Sequence, residues 1–156
     1  MLSIQIPGFG TLTLDHLVLD YNGTLAVDGA LLAGVKETLN ALSDRLSIHV
    51  VTADTFGKAA GGLDGVACRL TVLEAGRQDR AKADFVNRLG ATRTVSIGNG
   101  RNDAMMLAAS ALGIAVILAE GASTACLTAA DIVCRDIVSA LELLVHPLRL
   151  TATLRS

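Results

Sequence analysis

Short apolar runs recur along the chain, each followed by a stretch with helical spacing, and this alternation leaves few folds open. The inner runs, among them Leu17-Val18-Leu19, Val50-Val51 and Ile114-Ala115-Val116-Ile117, are apolar on both faces of the strand they would form. A strand apolar on both faces must be covered on both, which a parallel sheet flanked by helices achieves. The pattern therefore predicts a doubly wound α/β fold with a mostly parallel sheet, in a single domain spanning residues 1–156.

The elements can be placed in outline. Residues 3–6 and 11–19 read as strands joined by the turn Pro7-Gly8-Phe9-Gly10, an N-terminal β-hairpin leading into the first core strand. Val27 to Ala30 reads as a small flap. A helix is expected over 33–45, with Val35, Leu39 and Leu42 on one face, then a buried strand over Ser47–Thr52. A short helix from Thr55 stops at Gly61-Gly62, with Asp54 as its cap, and a strand covers Cys68–Leu73. Gln78–Leu89 is a helix closed by Gly90. Thr94–Ile97 is a strand leading into the loop Gly98–Asp103. Beyond it come a helix, a strand over 113–118, a helix near 123–129, a strand over 131–134, and a helix over 137–145 that Pro147 ends. The tail, 148–156, is expected to lie along the body or to be loose.

Composition narrows the function classes. A net charge of -2, with basic residues scattered, gives no field for nucleic acid or an acidic membrane. The N-terminus lacks a basic region and a long apolar core, so no signal peptide is expected. The uncharged stretch Ala104–Ala119 is shorter than a membrane span needs and is split by Gly113. Cys68, Cys126 and Cys134 form no C-x-x-C pair and read as buried small hydrophobes in a reducing, cytoplasmic setting. His16, His49 and His146 read as structural, and Met105 and Met106 as core.

Ligands of open α/β sheets bind beyond the carboxyl ends of the strands. Three segments with chemistry stand there: Asp20-Tyr21-Asn22-Gly23-Thr24, Thr52-Ala53, and Gly98-Asn99-Gly100-Arg101-Asn102-Asp103. A carboxylate held at a strand end and followed by a turn suggests an aspartate nucleophile facing a phosphate. The backbone N–H groups of Gly23 and Thr24, with the Thr24 hydroxyl, could hold the anion.

In order, spacing and placement, these pieces together with Lys82 resemble the four motifs of the haloacid dehalogenase-like superfamily of phosphohydrolases. Within it, the chain is similar to soluble proteins resembling the phosphorylation domain of P-type ATPases. The resemblance runs from Leu17 to about Val145 and implies a Rossmann-like core. It implies that Asp20 attacks phosphorus and forms an aspartyl-phosphate, that Thr52 hydrogen-bonds a phosphoryl oxygen, and that Lys82 offsets the negative charge. It implies Mg²⁺ on the Asp20 carboxylate, the Asn22 backbone carbonyl, and the Asn99 and Asp103 side chains, directly or through water. Contacts to the substrate fall to Gly23, Thr24, Thr52, Ala53, Lys82 and Asn102.

Two departures matter. The superfamily's usual second aspartate is Asn22, and an amide can neither protonate a leaving group nor activate water. Slow turnover is expected. Asn99 stands where a metal-binding aspartate is usual, which predicts weaker Mg²⁺ binding. Thr52 follows Asp20 by 32 positions and Lys82 follows Thr52 by 30, leaving no room for a cap domain. An open site suits a large substrate such as a phosphoprotein, or a second subunit acting as lid; the expected partner is a phosphorylated substrate, small molecule or phosphoprotein. Two other readings compete: a degenerate module that binds a phosphate-bearing ligand or a partner, and a dehalogenase of the same fold. The Mg²⁺-type ligands and the missing cap argue against the dehalogenase.

Overall fold

The computed structural model describes residues 1–54 and 57–156. Strands β1 (Leu2–Ile6) and β2 (Gly10–Leu14) form an antiparallel hairpin, and β3 (His16–Leu19) follows at once. A second, two-residue hairpin pairs β4 (Ala26–Val27) with β5 (Ala30–Leu31) and leads into α1 (Val35–Leu42). Then come β6 (Ser47–Thr52), α2 (Ala59–Gly62), β7 (Arg69–Val72), α3 (Gln78–Leu89) and β8 (Thr94–Gly98). The remainder is α4 (Ala104–Ala109), β9 (Leu112–Val116), α5 (Thr124–Ala129), β10 (Ile132–Cys134), α6 (Ile137–Val145) and α7 (Pro147–Leu154).

Six of these strands make one sheet in the order β10-β9-β8-β3-β6-β7, parallel throughout. The period-2 alternation sorts its side chains between two cores. Leu17, Leu19, Val50, Val95, Ile97 and Ile114 face the core that includes the N-terminal hairpin, α1, α6 and α7. Val18, Val51 and Ala115 face the other, where Val86 of α3, Met106 of α4 and Cys126 of α5 close over them. The chain winds outward from β3 to β6 and β7, then returns to β8 on the other side of β3. That reversal between β3 and β8 opens a crevice at their carboxyl ends.

The continuous strand expected over 11–19 is broken at Asp15, and the break has a local cause. The Asp15 N–H donates to the Arg93 carbonyl at 2.8 Å, and its own carbonyl accepts from the Ser47 N–H at 2.8 Å. Both backbone groups thus leave the hairpin for the ends of two other strands, and the Asp15 carboxylate adds an ion pair to Arg93. α6 ends at Val145 as expected, and Pro147 then starts a further helix, α7, at the position where a missing N–H costs nothing. α7 buries Leu150 and contacts β1, so the tail lies along the body. Helix α1 begins two residues later than expected, because Gly34 adopts a left-handed φ of 83° at its N-cap. Thr55, the expected start of the short helix, lies outside the described residues. Asp54 does cap there, its Oδ1 accepting from the N–H groups of Lys58 and Ala59 at 3.0 Å each. Met105 is not core: it is 44 % exposed, whereas Met106 is fully buried. Among the described residues no single helix is long and apolar enough to cross a membrane.

The flap is a β4–β5 hairpin with positive φ at both turn residues, Asp28 and Gly29, the type I′ geometry that matches strand twist. Its tip is held from two sides. The Asp28 N–H donates to Glu120 at 2.9 Å, and the Asp28 carbonyl accepts from Lys58 at 3.4 Å.

His49 packs in the second core between the rings of His16 and Phe85, at centroid distances of 5.5 and 5.6 Å. Burial, then the neighbouring His16 and Arg69, lower its pKa below the usual 6.5. The folded state therefore resists a proton that the unfolded chain accepts, so the stability His49 contributes is lost as pH falls below about 6.5. Unfolding titrations of wild type and His49→Phe should show the difference moving in the variant's favour from pH 7 to pH 5. A pH-independent difference would remove this assignment.

Candidate active site

Asp20 follows β3 directly, and the next residues form a tight turn. The Tyr21 carbonyl accepts from the N–H groups of Thr24, Leu25 and Ala26 at 3.2, 2.9 and 3.0 Å. Gly23 holds a φ of 77°, and a Cβ there would lie 2.4 Å from Asn99 Nδ2, so the turn admits no side chain at this position. The Gly23 N–H donates to the Ala26 carbonyl at 2.8 Å. The two N–H groups expected to hold an anion are thus already committed within the turn. Thr24 is fully buried, and its hydroxyl lies 3.3 Å from both Asp20 Oδ2 and Asn99 Oδ1, sharing one proton between them.

Beneath Asp20 sits a cluster of buried charge. Lys82, at the start of the second turn of α3, is fully buried and places Nζ 2.6 Å from Asp20 Oδ1 and 2.6 Å from Asp103 Oδ1. The other oxygen of Asp103 accepts from the N–H groups of Asn99 and Gly100 at 3.0 and 2.9 Å, wrapping the loop after β8 around it. Two carboxylates against one ammonium leave an excess of negative charge. Burial, reinforced by Asp103, raises the Asp20 pKa to about 7 against the pull of Lys82. Burial works to lower the Lys82 pKa, but Asp103 and Asp20 outweigh it and hold the ammonium at about 12. The lysine is therefore a fixed cation, held beside an Asp20 carboxylate that burial makes costly to ionise.

The cleft above has a volume of about 190 Å³. Asp20, Asn22, Thr52, Ala53, Asn99 and Asn102 line it, joined by Gln78 and Gly100. Gly23, Thr24, Lys82 and Asp103 do not line it. Asp103, expected to reach a metal, is withdrawn from the cleft, because Lys82 and two backbone amides take its oxygens. Thr52 Oγ1 accepts from the Asp54 N–H at 2.9 Å, which leaves its own proton to be donated. Gln78 was not foreseen. Its signal was its place one turn before Lys82, at the i, i+4 spacing that shares a helix face, and its Oε1 accepts from Asn102 at 3.4 Å.

The donors available to a cation here are all oxygens. Among the described residues no three His, Cys, Asp or Glu side chains gather as a metal cluster. Asp20 and Asn99 both line the cleft, the Asn99 amide fixed by its Nδ2 bond to the Gly121 carbonyl at 3.0 Å and its Oδ1 accepting from Thr24. Asn22 Oδ1 is buried with no hydrogen-bond partner. An oxygen-only set with an orphaned acceptor fits a hard cation such as Mg²⁺ better than a thiophilic one.

No family model matches the chain. It is 46 % identical over 63 residues to Uncharacterized protein MJ0073 of Methanocaldococcus jannaschii, a match over 40 % of this chain and 68 % of that protein, which places the two in one family. Among solved structures it resembles 3-deoxy-D-manno-octulosonate 8-phosphate phosphatase from Moraxella catarrhalis, in complex with magnesium, phosphate and KDO, with a TM-score of 0.70 and 13 % identity over 85 % of this chain and 86 % of that one. It also resembles a zinc-transporting PIB-type ATPase in its E2.Pi state, with a TM-score of 0.62 and 22 % identity over 79 % of this chain and 20 % of that one. At these identities the likeness is one of fold.

Proposed function

We propose a metal-dependent phosphohydrolase with Asp20 as nucleophile, on the premise of the haloacid dehalogenase-like fold that the chain's parallel sheet and its structural neighbours show; the open site, without a cap, is part of this proposal. The observation that carries this reading is the buried Asp20–Lys82–Asp103 cluster under a cleft lined by Asp20 and Thr52. A carboxylate raised to a pKa of about 7 by burial gains from any positive charge brought to it. Mg²⁺ would sit on Asp20, Asn99 and the Asn22 backbone carbonyl, and when bound it supplies charge neutralisation for the phosphoryl group.

Asp20 attacks phosphorus, the ester oxygen leaves, and the new bond makes an aspartyl-phosphate. Thr52 donates to a phosphoryl oxygen, and Lys82 holds the carboxylate in place and balances its charge. Asn22 has no proton to give the leaving group, which takes one from solvent instead. Water then cleaves the acyl phosphate without a general base, so turnover is slow. The fold shared with a zinc-transporting ATPase supports a relation to the P-type phosphorylation domain. The substrate would be a phosphorylated small molecule or phosphoprotein, with a second copy as lid. Three free cysteines fit a reducing cytoplasm.

Hydrolysis of p-nitrophenyl phosphate, with and without Mg²⁺, beside Asp20→Ala, tests the reading. Mg²⁺-dependent release is expected from the wild type and none above background from the variant. Release that survives Asp20→Ala excludes Asp20 as nucleophile. A wild type without turnover favours the second reading, a phosphate-ligand or protein-binding module, for which the amides at 22 and 99 are the motive. Asn99→Asp restores one formal charge at the cleft, so Mg²⁺ should bind the variant about tenfold tighter by calorimetric titration. Micromolar affinity already present in the wild type would contradict the weak-binding expectation.

A further inference from the structure

The cleft does not end at the reacting groups. Gln78 and Asn102 form one of its walls, and the same two residues line a second, larger groove of about 510 Å³ on their far side. The groove runs between the first turns of α3 and α4 and the start of α5, and its remaining walls include Arg101, Asp79, Met105 and Ala125. A volume of 190 Å³ suits a phosphoryl group and its immediate ligands, whereas 510 Å³ lies in the range of small-molecule sites.

The chemistry of the larger groove is mixed, and its charge has a sign. Arg101 is exposed, sits between two cleft-lining residues, Gly100 and Asn102, and makes no ion pair among the described residues. Asp79, the one acid in the wall, already faces Arg77 at 3.9 Å. A free guanidinium beside a partly neutralised acid leaves the groove attractive to anions. Met105 adds an apolar face: it is 44 % exposed while the adjacent Met106 is fully buried, so it is a side chain the core does not use. Ala104, Ala125 and Gly76 leave the space open.

Resting on the phosphohydrolase reading, we infer that this groove takes the substrate's leaving group, and that the substrate is a small phosphate monoester whose leaving group carries a second anionic group beside an apolar portion. Arg101 binds the second anion, Met105 covers the apolar portion, and the Gln78–Asn102 pair forms the threshold between phosphate and leaving group.

The test compares phenyl phosphate with 4-carboxyphenyl phosphate, in the wild type and in Arg101→Gln. We expect kcat/KM at least tenfold higher for the carboxylated ester in the wild type. Arg101→Gln should bring the two esters to parity while leaving phenyl phosphate within twofold of its wild-type value. Calorimetric binding of both esters to Asp20→Ala reads the groove without turnover, and the same preference and the same loss with Arg101→Gln are expected. Equal values for the two esters, or an equal loss of both on Arg101→Gln, overturn the groove assignment and leave the phosphohydrolase reading standing. A binding preference that depends on Arg101, in a wild type that turns over neither ester, overturns the phosphohydrolase reading alone.

Discussion

Lys82→Met will lower the unfolding free energy by about 3–5 kcal/mol at pH 7.5 and abolish turnover, the larger loss coming from what the substitution leaves behind. Asp20 and Asp103 each lie 2.6 Å from the buried ammonium, so without it two largely buried carboxylates face each other unbalanced. Methionine fills the space, which separates the charge effect from a cavity. The sign of the pH dependence identifies the cause. With the cation gone, the folded-state pKa of Asp20 rises beyond its already raised value of about 7. A carboxyl whose pKa is higher folded than unfolded favours the fold as it takes up a proton, so the variant should regain stability as pH falls from 7.5 to 5. Urea unfolding across that range checks this. A loss that does not shrink at low pH would mean that packing, not charge, is the function of Lys82.

Asn22→Asp should accelerate phosphate release by about 10²-fold or more, the lower end of what a positioned acid–base group supplies. Asn22 lines the cleft with Asp20, and its Oδ1 has no partner, so an acid of equal size enters without displacing a hydrogen bond. Single-turnover measurement on the phosphorylated protein separates the hydrolytic step from the first transfer. An unchanged rate would show that the slow step lies elsewhere or that water does not reach this side of the phosphoryl group. The stability of the variant should fall modestly, since it places a further carboxylate near Asp20.

Much of this was legible in residue order. The apolar-on-both-faces runs led to a parallel sheet, and the boundaries of β6, α3 and α6 were read to the residue. Strand-end placement brought Asp20, Thr52 and the loop after β8 to one crevice, because the end of a strand is a position that a sequence states plainly. What stayed hidden depends on hydrogen bonds between distant segments. The break at Asp15 follows from Arg93 and Ser47, neither of which has any sequence relation to it. The commitment of the Gly23 and Thr24 amides within their own turn, and of Asp103 to Lys82 and the loop backbone, follows from satisfying polar groups that happen to be buried. Residue type announces a carboxylate but not which donors will claim it. The flap illustrates both sides, since Asp28-Gly29 marked the turn while its attachment to Glu120 could not be foreseen.

The winding that reverses between β3 and β8 has a consequence for how the protein comes to exist. Asp20 and Asp103 stand at opposite ends of more than half the chain, and Lys82 can neutralise them only after both long crossovers have closed. Early in folding, the loop entropy of those closures is spent before the charges are matched. The cluster is therefore expected to form late in folding. The residues best suited to chemistry then double as the final lock on the assembled fold, and a chain that has not completed its sheet has no partly competent site to offer.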